Sequence, residues 1–445
     1  MRRPALLFLL ALLPAAPTLA ADIVERSFSE GEPEGRRALA HVEQKAVVAE
    51  YLDPADTGIG KSMAQLLWRE VLSSISDQGG AGVILARPPE NERLVDLLQE
   101  NYHQAALRIA EHQQARMALW GSALEKDGRI YIHSFLTMVA ATRSNIINFR
   151  IRDSYLYGDR SGEIELSFPR NKLNFPMVER SREQLFRRPL MLRGNTNVRS
   201  EPSVESPRVG FLEAGAVAQA VDMDDGWFRV ALAGGEFGYV TGANVDLAPL
   251  SVRADRRGIN LRTAPAVRGD TVLRNTDLTG EFRVLEQRFS GNRLWYRIEL
   301  DGEHAWIAAS LVERVYSLPV VHFIAGLYRY FGERHGDAIR EFDAFLEYPR
   351  ERHGNVTMSV AYQYQALSAL LSDRNPLAGV ELTRKAAAQT PFDATPYKIE
   401  ALSWIGDPRA RDNVAALLEK ARALDARPRE FSAFAAAVQQ AIELR

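Results

Sequence analysis

A six-residue motif occurs twice in the middle of this chain, and it constrains the fold more than any other feature. Asn197-Val198-Arg199-Ser200-Glu201-Pro202 returns as Asn260-Leu261-Arg262-Thr263-Ala264-Pro265. Each copy is followed by an aromatic stretch, Trp227-Phe228-Arg229-Val230 or Trp295-Tyr296-Arg297-Ile298. Each closes on a small-aromatic-aliphatic triplet, Gly238-Tyr239-Val240 or Ala305-Trp306-Ile307. Matched segments in a fixed order at a near-constant offset mean a duplicated small domain. Asn and Pro set turn geometry, while alternating aliphatic and aromatic residues are suited to the interior of a small barrel.

The rest of the 445 residues leaves room for about three domains. With 46% hydrophobic and 25% charged residues the composition is that of ordinary globular protein. The formal net charge of −2 provides no global attraction to nucleic acid or to an anionic membrane surface. The first twenty residues have the pattern of an export signal. Arg2 and Arg3 precede an apolar run from Leu6 to Leu13, and Thr18-Leu19-Ala20 forms a small-x-small cleavage site. That run is too short to span a bilayer, and no later stretch is long and apolar enough. There is no cysteine, which excludes disulfides, thiolate metal ligation, a cysteine nucleophile and a lipid anchor on an amino-terminal cysteine. The expectation is an exported chain in the periplasm of a Gram-negative bacterium, without a transmembrane segment or lipid anchor.

Residues 21–44 are polar and predict a mobile lead-in. Residues 45–172 predict an α/β sandwich. It begins with a strand at Ala46–Leu52, a helix from Met63 to Ile75 and a strand at Gly82–Ala86. A long helix across Pro88–Met117 follows, with Leu94, Leu97, Leu98, Ala105 and Ile109 on one face. A strand meander through Ile130, Ile132, Phe135 and Met138 and two strands at Ile147–Tyr157 and Glu163–Phe168 complete it. This order resembles the amino-terminal domain of TolB and related curli-secretion, flagellar and penicillin-binding-protein-activator domains. The features that carry the resemblance are the helix after Asp56-Thr57-Gly58, the Ala115–Ser122 passage and the Gly128-Arg129-Ile130-Tyr131-Ile132 strand. Residues 173–189, rich in Arg, Pro and polar groups, predict a linker.

The two repeats, at 190–248 and 249–316, resemble bacterial SH3 (SH3b) domains. The shared pattern is an aliphatic-Arg strand start (Leu192-Arg193, Val252-Arg253), the Asn-aliphatic-Arg-x-x-Pro motif, the tryptophan strand and the closing triplet. The second copy departs from the pattern at Ala305 and by extra residues before Trp295. The short join Leu247-Ala248-Pro249 predicts a fixed tandem with a cleft between the copies. From residue 317 to 445 the chain is alanine-rich with helical periodicity. Gly326, Ala338, Phe342 and Pro349, then Ala366, Ala378, Leu382 and Pro391, then Leu402, Val414, Leu418 and Ala421, resemble three degenerate tetratricopeptide-like hairpins. The fold class is therefore multidomain α+β: an N-terminal α/β sandwich, two tandem SH3-like β-barrels and C-terminal α-helical hairpin repeats.

Catalytic chemistry finds little support. Ala55-Asp56-Thr57-Gly58-Ile59-Gly60-Lys61-Ser62 sits where a phosphate-binding loop would, between a strand and a helix. Ala55, however, replaces the first glycine, which lets the backbone turn onto phosphates. A turn and helix start with an incidental lysine is the better reading, and a nucleotide site at Lys61 is the minor alternative. His41, His103, His112 and His133 show no metal-ligand spacing, so no metal and no cofactor are expected. Glu333-Arg334-His335-Gly336-Asp337 and Glu351-Arg352-His353-Gly354-Asn355 read as helix stops followed by caps.

The candidate ligand-binding residues are the repeated ones: Arg199, Trp227 and Tyr239 in the first copy, Arg262, Trp295 and Trp306 in the second. The tryptophan strands read first as core. Tyr239 and Trp306, near strand ends, are expected to be half-exposed and to offer a flat face to a glycan or peptide. Arg199 and Arg262 suit a ligand carboxylate or the bracing of their own loops. The functional expectation is a non-catalytic periplasmic binding or scaffold protein, with the SH3b pair on peptidoglycan or peptide and the flanking domains on envelope proteins. The alternative is a structural part of a flagellar, secretion or adhesin assembly.

Overall fold

The computed structural model describes residues 22–27, 42, 44–75, 78–87, 102–139, 145–151, 160–166, 168, 171–232, 234–267, 272–291, 293–348, 353–372, 376–405 and 407–443. The export signal expected at 1–20, the N-terminal part of the long helix and Glu351-Arg352 lie outside the described residues.

The chain is mixed α/β. The first sheet takes β1 (Asp22–Ser27), β2 (Gln44–Ala49), β3 (Ala81–Arg87), β4 (Met117–Lys126) and β5 (Arg129–Met138) in the order β1-β3-β2-β4-β5. The first four strands are parallel and β5 returns antiparallel to β4. Helix α1 (Ile59–Ser74) covers one face and α2 (Tyr102–His112) the other. The segment expected to be a mobile lead-in thus contributes an edge strand, because six residues of β1 find a parallel partner in β3. Among the described residues β6 (Asn145–Ile151) and β7 (Arg160–Leu166) form a two-stranded antiparallel sheet.

The segment expected to link domains is likewise built in. β8 (Lys172–Asn174) and β9 (Val178–Ser181) both pair with β5. Helix α3 (Arg182–Phe186) follows, with Ser181 and Gln184 forming a reciprocal capping box. Phe175, read as linker from its polar surroundings, is 1% exposed and stands edge-on to Phe323 and Phe345 of the helical region. Burying such a ring contributes about 2–3 kcal/mol, so composition was a poor guide to this stretch.

The first repeat supplies β10 (Arg188–Leu192), β11 (Thr196–Arg199), β12 (Arg208–Leu212), β13 (Val217–Asp224), β14 (Trp227–Ala231), β15 (Phe237–Thr241) and β16 (Val245–Leu247). They form one antiparallel sheet in the order β12-β11-β15-β14-β13-β10-β16. The second repeat supplies β17 (Ser251–Arg262), β18 (Val272–Ser290), β19 (Arg293–Leu300), β20 (Glu303–Ala308) and β21 (Glu313–Val315), ordered β18-β19-β20-β17-β21 with β18 also pairing β17. Among the described residues seven α-helices follow: α4 (Pro319–Phe331), α5 (His335–Glu347), α6 (Asn355–Leu371), α7 (Pro376–Gln389), α8 (Thr395–Trp404), α9 (Arg411–Leu424) and α10 (Pro428–Glu443). Gly326 of α4 is small for a packing reason: a Cβ there would stand 2.9 Å from the ring of Phe342 on α5.

One hydrophobic core runs through the α/β sheet, the first repeat and the helices, while the second repeat keeps a core of its own. Helix α1 is the common element. It is buried on nearly every face, and Trp68 donates its indole N–H to the Val83 carbonyl at 3.0 Å. Its C-terminal carbonyls are satisfied by guanidinium groups, Arg314 on Ser73 at 2.5 Å and Arg329 on Ser74 at 2.7 Å. Arg188 of β10 and Glu70 of α1 form a buried ion pair at 2.7 Å. Ser317, ahead of α4, closes that network by accepting from Arg188 and donating to Glu70, both at 2.6 Å.

Candidate functional site

Strand alternation decides which repeated residues reach the surface. In β14 the inward residues are Phe228 and Val230, both 0% exposed. Trp227 and Arg229 therefore take the outer face, where both are half-buried. In β15 Gly238 and Val240 point inward, leaving Phe237, Tyr239 and Thr241 outside. Gly238 is required by close packing, since a Cβ would meet a Val198 methyl at 2.4 Å. The tryptophan strand does carry a core aromatic, but it is the residue after the tryptophan.

Register brings the outer residues together. Tyr239 pairs across strands with Arg199 of β11 on one side and with Arg229 of β14 on the other. The result is an Arg–Tyr–Arg row over three neighbouring strands. Arg229 also lies over the Phe237 ring at 4.5 Å, and Arg208 over the Phe211 ring at 4.9 Å. Phe211 and Phe237 are each nearly half-exposed, so the face is aromatic and cationic at once. Arg199 donates to the Ser206 carbonyl at 2.7 Å, so it braces its own turn while bordering the row. Arg229 went unnoticed in the sequence although it recurs in both aromatic stretches; its matched partner is Arg297.

The second repeat has the same register, with Trp306 paired to Arg262 and to Arg297. Its central aromatic is buried. Trp306 is 7% exposed and Trp295 2%, contrary to the half-exposed flat face expected of Trp306. The physical reason is the 19-residue β18, which pairs with β19 and carries Arg288, whose guanidinium lies 5.6 Å from the Trp306 ring centroid. Arg297 is engaged by His304 at 3.0 Å and by Glu286 at 3.6 Å. Trp295 and Trp306 are thus buried framework, whereas Arg262, like Arg199, Trp227 and Tyr239, is half-buried, and Arg229 joins these candidates.

The segment resembling a phosphate-binding loop has a structural occupation. Gly58 takes a left-handed φ of 80°, and Asp53 accepts from the Ile59 N–H at 3.0 Å, starting α1. A Cβ on Gly60 would stand 2.1 Å from the Tyr51 carbonyl oxygen. Lys61 pairs with Asp225 at 2.7 Å, and the Ser62 hydroxyl accepts from the Gly226 N–H at 3.3 Å. These residues join α1 to the β13–β14 turn of the first repeat. Among the described residues no group of three His, Asp or Glu could hold a metal ion, and no helix is long and apolar enough to cross a membrane.

Residues 194–246 match the family model of the bacterial SH3 domain. The match covers the Arg–Tyr–Arg row of the first repeat. Solved structures similar to this chain include two NlpC proteins. One is entitled "Structure of NlpC2 from Trichomonas vaginalis", with 14% identity, a TM-score of 0.17, and coverage of 29% of this chain and 48% of that one. The other is "Structure of NlpC1 from Trichomonas vaginalis", with 13% identity, the same TM-score, and coverage of 29% and 46%. This chain therefore spans under half the length of either, and neither bears on its activity. No curated protein matches the chain.

Proposed function

We propose that this is a non-catalytic, exported binding protein whose bacterial SH3 domain grips a carboxylate-bearing ligand on its outer face. The single observation carrying the reading is the Arg199–Tyr239–Arg229 row between the exposed rings of Phe211 and Phe237. Guanidinium groups match carboxylates in a planar, two-pronged geometry, and a tyrosine between them supplies apolar contact and a hydroxyl. Peptidoglycan stem peptides present such carboxylates on an extended backbone, and so do acidic protein segments. The second repeat, an SH3-like copy whose central aromatic is buried, then acts as a spacer. The α/β region, similar in order to the TolB amino-terminal domain, and the tetratricopeptide-like helices hold envelope partners.

A second reading, a structural part of a periplasmic assembly, is favoured by the apolar core that the α/β sheet, the first repeat and the helices share. Retention of the full chain on purified cell-wall sacculi tests the first reading. Wild type is expected to be retained, and Tyr239→Ala and Arg229→Ala to be washed through while their unfolding midpoints stay unchanged. Wash-through of wild type would remove peptidoglycan as ligand, and equal retention of wild type and both variants would remove this row as its site. Loss of a surface appendage on deletion of the gene, without a cell-wall phenotype, would favour the assembly reading.

A further inference from the structure

A cavity of about 480 Å³ opens between the second repeat and the first helical hairpin, away from the outer face of the SH3 domain. Its size falls within the roughly 300–1,000 Å³ of small-molecule sites. Six arginines line it against four carboxylates, and no lysine does. Arg314 of β21 and Arg329 of α4 are held in place by the α1 carbonyls they cap. Arg334 and Arg340, on either side of the α5 start, both engage Asp337, so one carboxylate serves two cations. Arg256 of β17 completes the wall from the second repeat. The remaining wall is polar and aromatic: His322 pairs with Glu341 at 2.9 Å and its ring lies 4.6 Å from that of Tyr316.

The box Glu333–Asp337 belongs here. Its left-handed residue is Glu333, at φ 60°, whereas Gly336 lies inside α5; the resulting turn places Arg334 and Asp337 together on the cavity wall. The local sequence explains a helix junction, but it does not explain guanidinium groups from four separate elements converging on one concave space. Each planar fork matches an oxyanion, and a recessed site of one predominant charge concentrates its field.

We propose that this cavity binds a compact organic polyanion carrying at least two oxyanion groups, carboxylates or phosphates. The proposal does not rest on the reading of the SH3 face. Calorimetric titration of the full chain with citrate and, separately, with pyrophosphate tests it. Saturable binding of at least one probe is expected, weakening as salt rises. Arg256→Gln and Arg340→Gln, both at exposed positions, are each expected to lower the affinity about tenfold with no change in unfolding midpoint. Tyr239→Ala is expected to leave the affinity unchanged. Binding of citrate alone assigns a carboxylate ligand, and binding of pyrophosphate alone a phosphate. No saturable binding of either probe, or affinity that survives both arginine substitutions, overturns the proposal.

Discussion

The two repeats have the same strand register and opposite roles in the molecule. The first is fused to its surroundings: Arg188 is locked to Glu70 and Ser317, and Gly242 approaches α1 so closely that a Cβ would stand 1.9 Å from the Gln65 amide nitrogen. Its inner face is consumed by the common core, and its outer Arg–Tyr–Arg row is left open. The second has a core of its own and buries the equivalent aromatic, Trp306, with Arg288 of β18 over its ring. Their charges diverge too. Residues 190–248 carry four arginines and eight carboxylates, while residues 249–316 carry eleven and nine. In the first repeat cationic character is therefore local to the outer face; in the second it is general and extends to the cavity beside α5. A duplicated scaffold can keep its backbone pattern while one copy is spent on anchoring and the other on an independent module.

The largest expected effect tests the anchoring. Arg188→Ala leaves Glu70 buried without its partner and is expected to destabilise the common core by about 3–5 kcal/mol. Urea unfolding would show it, and a first repeat that opened independently would break the comparison. Core truncations come next, with Phe228→Ala and Tyr296→Ala each costing about 3–5 kcal/mol. Hydrogen exchange should quicken in α1 for Phe228→Ala but only within 251–315 for Tyr296→Ala. Faster exchange of α1 in the second variant would join the two cores.

The matched aromatics sharpen the functional half of the contrast. Trp306→Ala is expected to lower the stability of the second repeat by about 2 kcal/mol, whereas Tyr239→Ala should change ligand retention and leave stability alone. A reversed pattern in thermal melts would exchange the two roles. Acid provides a further separation. Burial lowers the His353 imidazole to about 4, below its ordinary 6.5. Between those values the unfolded chain binds the extra proton, so stability falls as pH drops from 6.5 toward 4. The common core should weaken over that window, His353→Phe should flatten the dependence, and the second repeat should not follow it. The smallest effect belongs to Lys61→Ala. Its pair with Asp225 is about half-exposed, so the loss should stay under about 1 kcal/mol, with binding at the SH3 face unchanged.

Much of the local order was legible in the chain. The duplicated motif located the bacterial SH3 domain to within a few residues of 194–246, because turn-formers and strand alternation are local signals. The same alternation, applied strictly, would have put Phe228 and Tyr296 in the core and exposed the recurrence of Arg229 and Arg297. Residues 173–189 misled for a different reason. Their polar composition matches that of a linker, and only the helical region, more than a hundred residues later, provides the aromatic slot that buries Phe175. The phosphate-loop-like segment was separated from a true one by Ala55, but its partner Asp225 lies far along the chain.

By itself, then, the sequence determined the repeat, the strand order within each copy, and the helix periodicity after residue 317, all set by residues near one another in the chain. The tertiary structure alone decided which copy's aromatic row stays open and which cores merge. It also decided that arginines from β17, β21, α4 and α5 share one cavity. Those outcomes depend on register and on contacts between distant segments, where a buried Arg188 or an overlying Arg288 changes what an identical local motif can do.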